Sequence, residues 1–223
     1  MILLSRFGYL VGYLLISKPK SKVFLFFRNY QIGGAEFVHL NIAEAIKHLR
    51  PVVIFTERSP KDNNLLSDFK TYGIIYDLAS YTTNPFLYCF LQGIVAHQIN
   101  RAKEPITLGS NSSFYYRMLP LLDKKVRRYD LVHAFDGKNE KIHLPYIKYL
   151  DKRVAINRKT IEDIKAQYQR TGIDKRYFSR IQLIENGIKV TTDYQTNQHH
   201  PLHVLYVGRS TSEKRIHLIK EIA

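Results

Sequence analysis

The sequence holds one cysteine, no tryptophan and two methionines in 223 residues. A lone cysteine cannot form a disulfide within the chain. That excludes a stapled secreted scaffold and suits a reducing cytoplasm. Cys89 lies in the apolar run Phe86-Leu87-Tyr88-Cys89-Phe90-Leu91 and reads as a small buried hydrophobe. Acidic residues are also scarce: 19 Asp and Glu stand against 34 Lys and Arg, a formal net charge of +15. Such a field favours anionic partners, whether nucleic acid, acidic lipid or phosphorylated small molecules. The basic residues form local clusters at 18–22, 124–128 and 175–180. No zinc-ligand spacing, RNA-binding aromatic motif or basic heptad accompanies them, so no specific nucleic-acid partner is expected. Long apolar runs are lacking too. The first one is interrupted by Arg6 and is only about 17 residues long, the lower edge for a membrane span. No small-residue cleavage site follows it. With Lys18, Lys20 and Lys22 directly behind, it suits shallow contact with an anionic bilayer, or a helix packed on the protein itself.

What the sequence does have is a 45% hydrophobic content, enough for a substantial core. From Lys22 onward short apolar runs alternate with helical patterns. Strands are expected at 22–27, 51–56, 73–78, 105–110, 130–135, 152–157 and 180–187. Helices are expected after Gly33, from Asn84-Pro85, through 112–122, near 142–150 and at 159–169. Asn84-Pro85 is a good helix start. This alternation predicts an α/β fold, a doubly wound parallel sheet in which ligands bind at the carboxyl ends of the strands. The polar stretch 190–201 reads as a linker. A new strand, 203–209, and a new helix follow it.

Three segments carry the expected chemistry. Gly33-Gly34-Ala35-Glu36 joins the first strand to the first helix, where glycines allow a tight turn and free N–H groups face a ligand; a plain turn is the alternative. Arg209 and Lys214 flank a polar loop that opens a helix. Two cations there make a diphosphate clamp, or a solvated basic loop. Asn186-Gly187 precedes the linker; Asn-Gly tolerates positive φ and turns the chain sharply, a hairpin turn being the plain alternative.

In this order the segments resemble the family-4 glycosyltransferases of the GT-B fold. The matching elements are Gly33 to Glu36, then Glu185-Asn186-Gly187-Ile188, then Val207-Gly208-Arg209 with Lys214. Arg215 stands where the family has glycine. The resemblance implies an acceptor-side Rossmann-like domain at 22–189, after an apolar helix at 1–21. It implies the linker at 190–201 and the start of a nucleotide-sugar-binding domain at 202–223. The family's Glu-x7-Glu donor motif does not occur before Ala223, which implies a truncated enzyme, a fragment or one piece of a split enzyme. The implied reaction passes a sugar, with retention, from a nucleotide diphosphate to a glycan or lipid-linked acceptor at the inner face of the plasma membrane. Arg209 and Lys214 would hold the diphosphate and no metal or other cofactor is required. Asn186 and Gly187 would lie between the domains, and Gly33, Gly34 and Glu36 beside the acceptor. The strand-end segment Leu131-Val132-His133-Ala134-Phe135-Asp136-Gly137 would supply His133 or Asp136 to the reaction, although His133 is also readable as a satisfied strand residue. Ser110 and Asn111, between a strand and a helix, suit sugar hydroxyls or a helix cap. Two other readings stay open: a non-catalytic acceptor-binding module or inactive fragment, and, on charge alone, a nucleic-acid binder.

Overall fold

The computed structural model describes residues 2–15, 19–62, 64–187 and 216–218. Seven strands form one sheet: β1 (Val23–Phe27), β2 (Val52–Phe55), β3 (Ile74–Asp77), β4 (Ile106–Ser110), β5 (Arg127–Val132), β6 (Lys152–Ala155) and β7 (Ile181–Leu183). Every pairing is parallel and the order is β3-β2-β1-β4-β5-β6-β7. Parallel neighbours need crossovers, and helices supply them. They are α2 (Gly34–Ala45), α3 (Leu66–Tyr72), α4 (Pro85–Arg101), α5 (Ser113–Met118), α6 (Gly137–His143) and α7 (Arg158–Arg170), preceded by α1 (Ile2–Leu15).

Both faces of the sheet are covered, which is why β1 and β2 are unbroken apolar runs rather than alternating ones. Phe24, Phe26, Val52 and Ile54 pack against α4 and α5 through Val95, Ala96, Phe114 and Met118. Val23, Leu25, Phe27, Val53 and Phe55 face the other way, toward Ala43 of α2 and Phe69 of α3. The fold is a doubly wound, Rossmann-like α/β sheet, as the alternation of runs predicts. Asn84 starts α4 as expected, its side chain accepting from the backbone N–H groups of Phe86 and Leu87.

Two local expectations change. Helix α3 was not foreseen. Strand β5 begins at Arg127 and ends at Val132, so His133 and Phe135 lie beyond it. The chain passes through Asn186-Gly187 without positive φ; among the described glycines only Gly172 has it.

The chain divides into Met1–Asn186 and Gly187–Ala223. Helix α1 therefore belongs to the same compact unit as the sheet rather than forming a segment of its own. It lies along α4 by a glycine contact. A Cβ on Gly8 would overlap the Phe90 carbonyl, and one on Gly93 would overlap the Ser5 carbonyl. Tyr9 supports the crossing edge-on against His97, and its hydroxyl accepts from Asn100 Nδ2 at 3.2 Å. No helix among the described residues is long and apolar enough to cross a membrane. The expected linker at 190–201 and the expected strand and helix after it lie outside the described residues, apart from 216–218.

Candidate functional site

The strand order reverses direction at β1. β2 and β3 extend to one side of it and β4 to β7 to the other, so the crossovers leave a crevice at the carboxyl ends of β1 and β4. The residues just past these ends are the candidate site. Asn29 follows β1 and is buried, with its amide oxygen unpartnered. Arg28 Nε pairs with Glu57 Oε2 across the top of β1 and β2 at 2.5 Å. Tyr30 donates from its hydroxyl to Asp77 Oδ2 at 2.9 Å, tying the loop to β3.

On the α4 and α5 side of these ends lies an open cleft of about 360 Å³. Thr56, Glu57, Arg58, Thr82, Tyr88 and Ser113 line it, with Phe114 beneath. The depression continues past Tyr88 to Arg117, whose guanidinium stands 6.0 Å from the Tyr88 ring centre. Its wall is braced from within. The Thr56 and Ser112 hydroxyls lie 3.2 Å apart, and Thr82 Oγ1 donates to the Thr56 carbonyl at 2.6 Å. A carboxylate, several hydroxyls, an aromatic face and two arginines thus surround one concavity. Such groups can hydrogen-bond a polyol, stack on its C–H face and bind an attached anion.

On the α2 side, His133 comes straight off β5 and meets His39 of α2, with the two Nε2 atoms 2.9 Å apart. His39 is buried, its ring stacked on Phe27 with centroids 4.0 Å apart. Burial, and then the neighbouring His133, hold the His39 pKa well below the ordinary imidazole value. Burial lowers that of His133 as well. Both rings are therefore neutral near pH 7, and one donates to the other. Nδ1 is the His133 nitrogen left for any further partner.

The remaining expected residues fall as follows. Gly33 is the N-cap of α2 in extended backbone, without positive φ, and Gly34 begins the helix with open space where a Cβ would point. Glu36, in the first turn, folds its carboxylate back over Gly33. The structure brings His133 onto this same helix. Asp136 caps α6, accepting from the Lys138 backbone N–H at 2.9 Å. Ser110 is fully buried and its hydroxyl donates to the Leu131 carbonyl at 3.0 Å, so it ties β4 to β5 and does not line the cleft. Asn111 is exposed with φ of 50°, a left-handed residue that ends β4. Asn186 closes the first unit and Gly187 opens the second. Arg209 and Lys214 lie outside the described residues.

Sequence reasoning missed His39, which reads as one polar residue in an apolar helix. It also missed the cleft wall. The signal there was Thr56-Glu57-Arg58-Ser59, four polar residues directly after an apolar strand. Among the described residues no group of three or more His, Cys, Asp and Glu side chains is placed to hold a metal ion.

Fold and cleft together define a doubly wound α/β protein with a polar concavity past the carboxyl ends of β2, β3 and β4. No family model, curated protein or solved structure matches the chain.

Proposed function

We propose that this chain is the acceptor-binding part of a glycosyltransferase, which moves a sugar from a nucleotide-diphosphate donor to a glycan or lipid-linked acceptor in the cytoplasm. The observation that carries the reading is the cleft beside β2 and α4. Tyr88 offers a ring face, Glu57, Thr82 and Ser113 offer hydrogen bonds, and Arg58 and Arg117 offer charge. A sugar presents C–H faces and hydroxyls together, and an acceptor linked through phosphate adds the anion. In this reading the opening of α2 at Gly33, Gly34 and Glu36 faces the reacting end of the acceptor. His133, held by His39, is the neutral polar group beside it. Arg209 and Lys214 receive the departing diphosphate, so charge development is stabilised by cations and no metal is needed. Retention of configuration rests on the family resemblance.

The test is transfer of label. The 223-residue chain is incubated with radiolabelled nucleotide-diphosphate sugars and either free oligosaccharides or a lipid-phosphate saccharide. Label in the acceptor supports the proposal, and Glu57→Gln should then raise the acceptor KM by about tenfold, the worth of one charge-assisted hydrogen bond. Acceptor binding without transfer would support the acceptor-binding part alone and leave the donor side unassigned. Absence of binding to any saccharide would remove the reading altogether.

A further inference from the structure

Helix α1 is packed inside out for a helix in water. Its small residues, Ser5, Gly8 and Gly12, are buried, with Gly8 seated against α4. Leu4, Tyr9 and Val11 are half-buried beside them, but five large apolar residues point outward: Leu3 is 78% exposed and Leu14 70%, with Phe7, Leu10 and Tyr13 between them. Phe86, 67% exposed at the start of α4, widens the same surface on the Phe7 side, where Phe7 meets Phe90 at 5.9 Å. An amphipathic helix of a water-soluble domain does the opposite and turns its large apolar side chains to the core. Small residues at the helix contact and large apolar ones outside are the arrangement of helices whose surroundings are lipid.

We propose that the outer face of α1, with Phe86 and Leu87 at the start of α4, docks the protein onto the surface of a bilayer containing anionic phospholipid. Length and charge select this occupant. Its 14 described residues span about 21 Å at 1.5 Å per residue, less than the roughly 30 Å of a hydrocarbon core. Its attachment along α4 at Gly8 and Gly93 turns its side, not its end, to a bilayer, so it lies in the interface. Neither α1 nor α4 contains an Asp or Glu, and the exposed charge on the outer face is Arg6. Lys20 and Lys22 follow the helix, and the whole chain carries +15. Acidic headgroups complement that charge. A second copy would bring its own Arg6 and its own positive field, so it lacks the complementary charge. The inference does not depend on sugar transfer, and its test needs no activity.

The experiment is co-sedimentation of the full chain with vesicles of phosphatidylcholine alone, and with vesicles in which one third is phosphatidylglycerol. Strong binding to the second, weaker binding to the first, and loss of the difference at high salt are expected. The double variant Leu3→Glu/Phe7→Glu changes only outward-facing positions. It should keep the wild-type melting transition by circular dichroism and bind the anionic vesicles at least about tenfold more weakly. Size-exclusion chromatography without lipid is run beside it. A folded double variant that still binds as well as wild type would show that overall charge, not this face, makes the contact. A wild-type dimer that the double substitution converts to monomer would assign the face to a second copy. Either result overturns the proposal, as does absence of binding to anionic vesicles.

Discussion

At the scale of single residues, the His39–His133 pair gives the molecule a pH dependence of definite sign. Both imidazoles have folded pKa values below the ordinary 6.5, so the unfolded chain binds more protons than the folded one once the pH falls through that value. Their contribution to stability is complete above about pH 6.5 and is lost progressively below it. The melting temperature should fall between about pH 7.5 and pH 5, above the range where most carboxylates titrate. In His39→Gln, which can still hydrogen-bond His133, that slope should be shallower. An unchanged slope would show that the pair does not govern it. Gly34 gives a second prediction of opposite character. A methyl group there meets nothing within 4 Å and sits in a helix, so Gly34→Ala should stabilise the fold by up to about 1 kcal/mol in urea unfolding. The same variant should bind a saccharide less well if the ligand approaches the α2 backbone. The sequence showed Gly33-Gly34 in place, because a Gly pair between strand and helix is local information. It could not show the histidine pair, whose members are 94 residues apart and meet only once α2 and β5 are packed.

At the scale of elements, two contacts decide how the layers hold together. The crossing of α1 and α4 depends on Gly8 and Gly93 lying against backbone, which cannot rotate away. Gly93→Ala should therefore destabilise by about 1–3 kcal/mol despite its better helix propensity, the reverse of Gly34→Ala. Thermal melts of the two variants side by side test the claim, and stabilisation by both would refute it. The second contact is ionic. Arg153 of β6 is buried and reaches Asp130 of β5 at 2.8 Å, Glu140 of α6 at 2.9 Å and the Tyr168 hydroxyl of α7 at 2.9 Å. Burial raises the Asp130 pKa while Arg153 works against that rise. Removing the cation leaves two carboxyl groups without it in the interior, so Arg153→Met should cost about 3–5 kcal/mol by urea denaturation. A loss below about 1 kcal/mol would mean that solvent reaches the cluster. The strands were legible from their apolar runs, but this cluster was not. Asp130 and Arg153 look like surface residues until the parallel register sets them opposite each other. The same charge hid the start of β5, where Arg127-Arg128-Tyr129 precede its apolar half. Helix α3 was hidden by its shortness, since Leu66, Phe69 and Tyr72 mark fewer than two turns among polar neighbours.

At the scale of the whole molecule, the alternation of apolar runs was enough to give a parallel α/β sheet. The order of its strands followed only from the structure. The sequence placed the chemistry at strand ends in general, whereas the reversal at β1 selects which ends form the crevice. That reversal has a consequence in time. Strand β1 is hydrogen-bonded to β2 on one side and to β4 on the other, and β4 begins at Ile106. A ribosome adding about 5–20 residues per second needs several seconds to go from the end of β1 to the end of β4. Through that interval the apolar strand Val23–Phe27 has one edge with no partner, and α1 has no α4 to lie on. Strands β1 to β3 can pair early, but the centre of the sheet closes late, by contacts distant in sequence, which makes folding slow. During synthesis this protein therefore carries an open apolar edge at what will become its middle, the state in which a nascent chain is most exposed to aggregation and most in need of a chaperone.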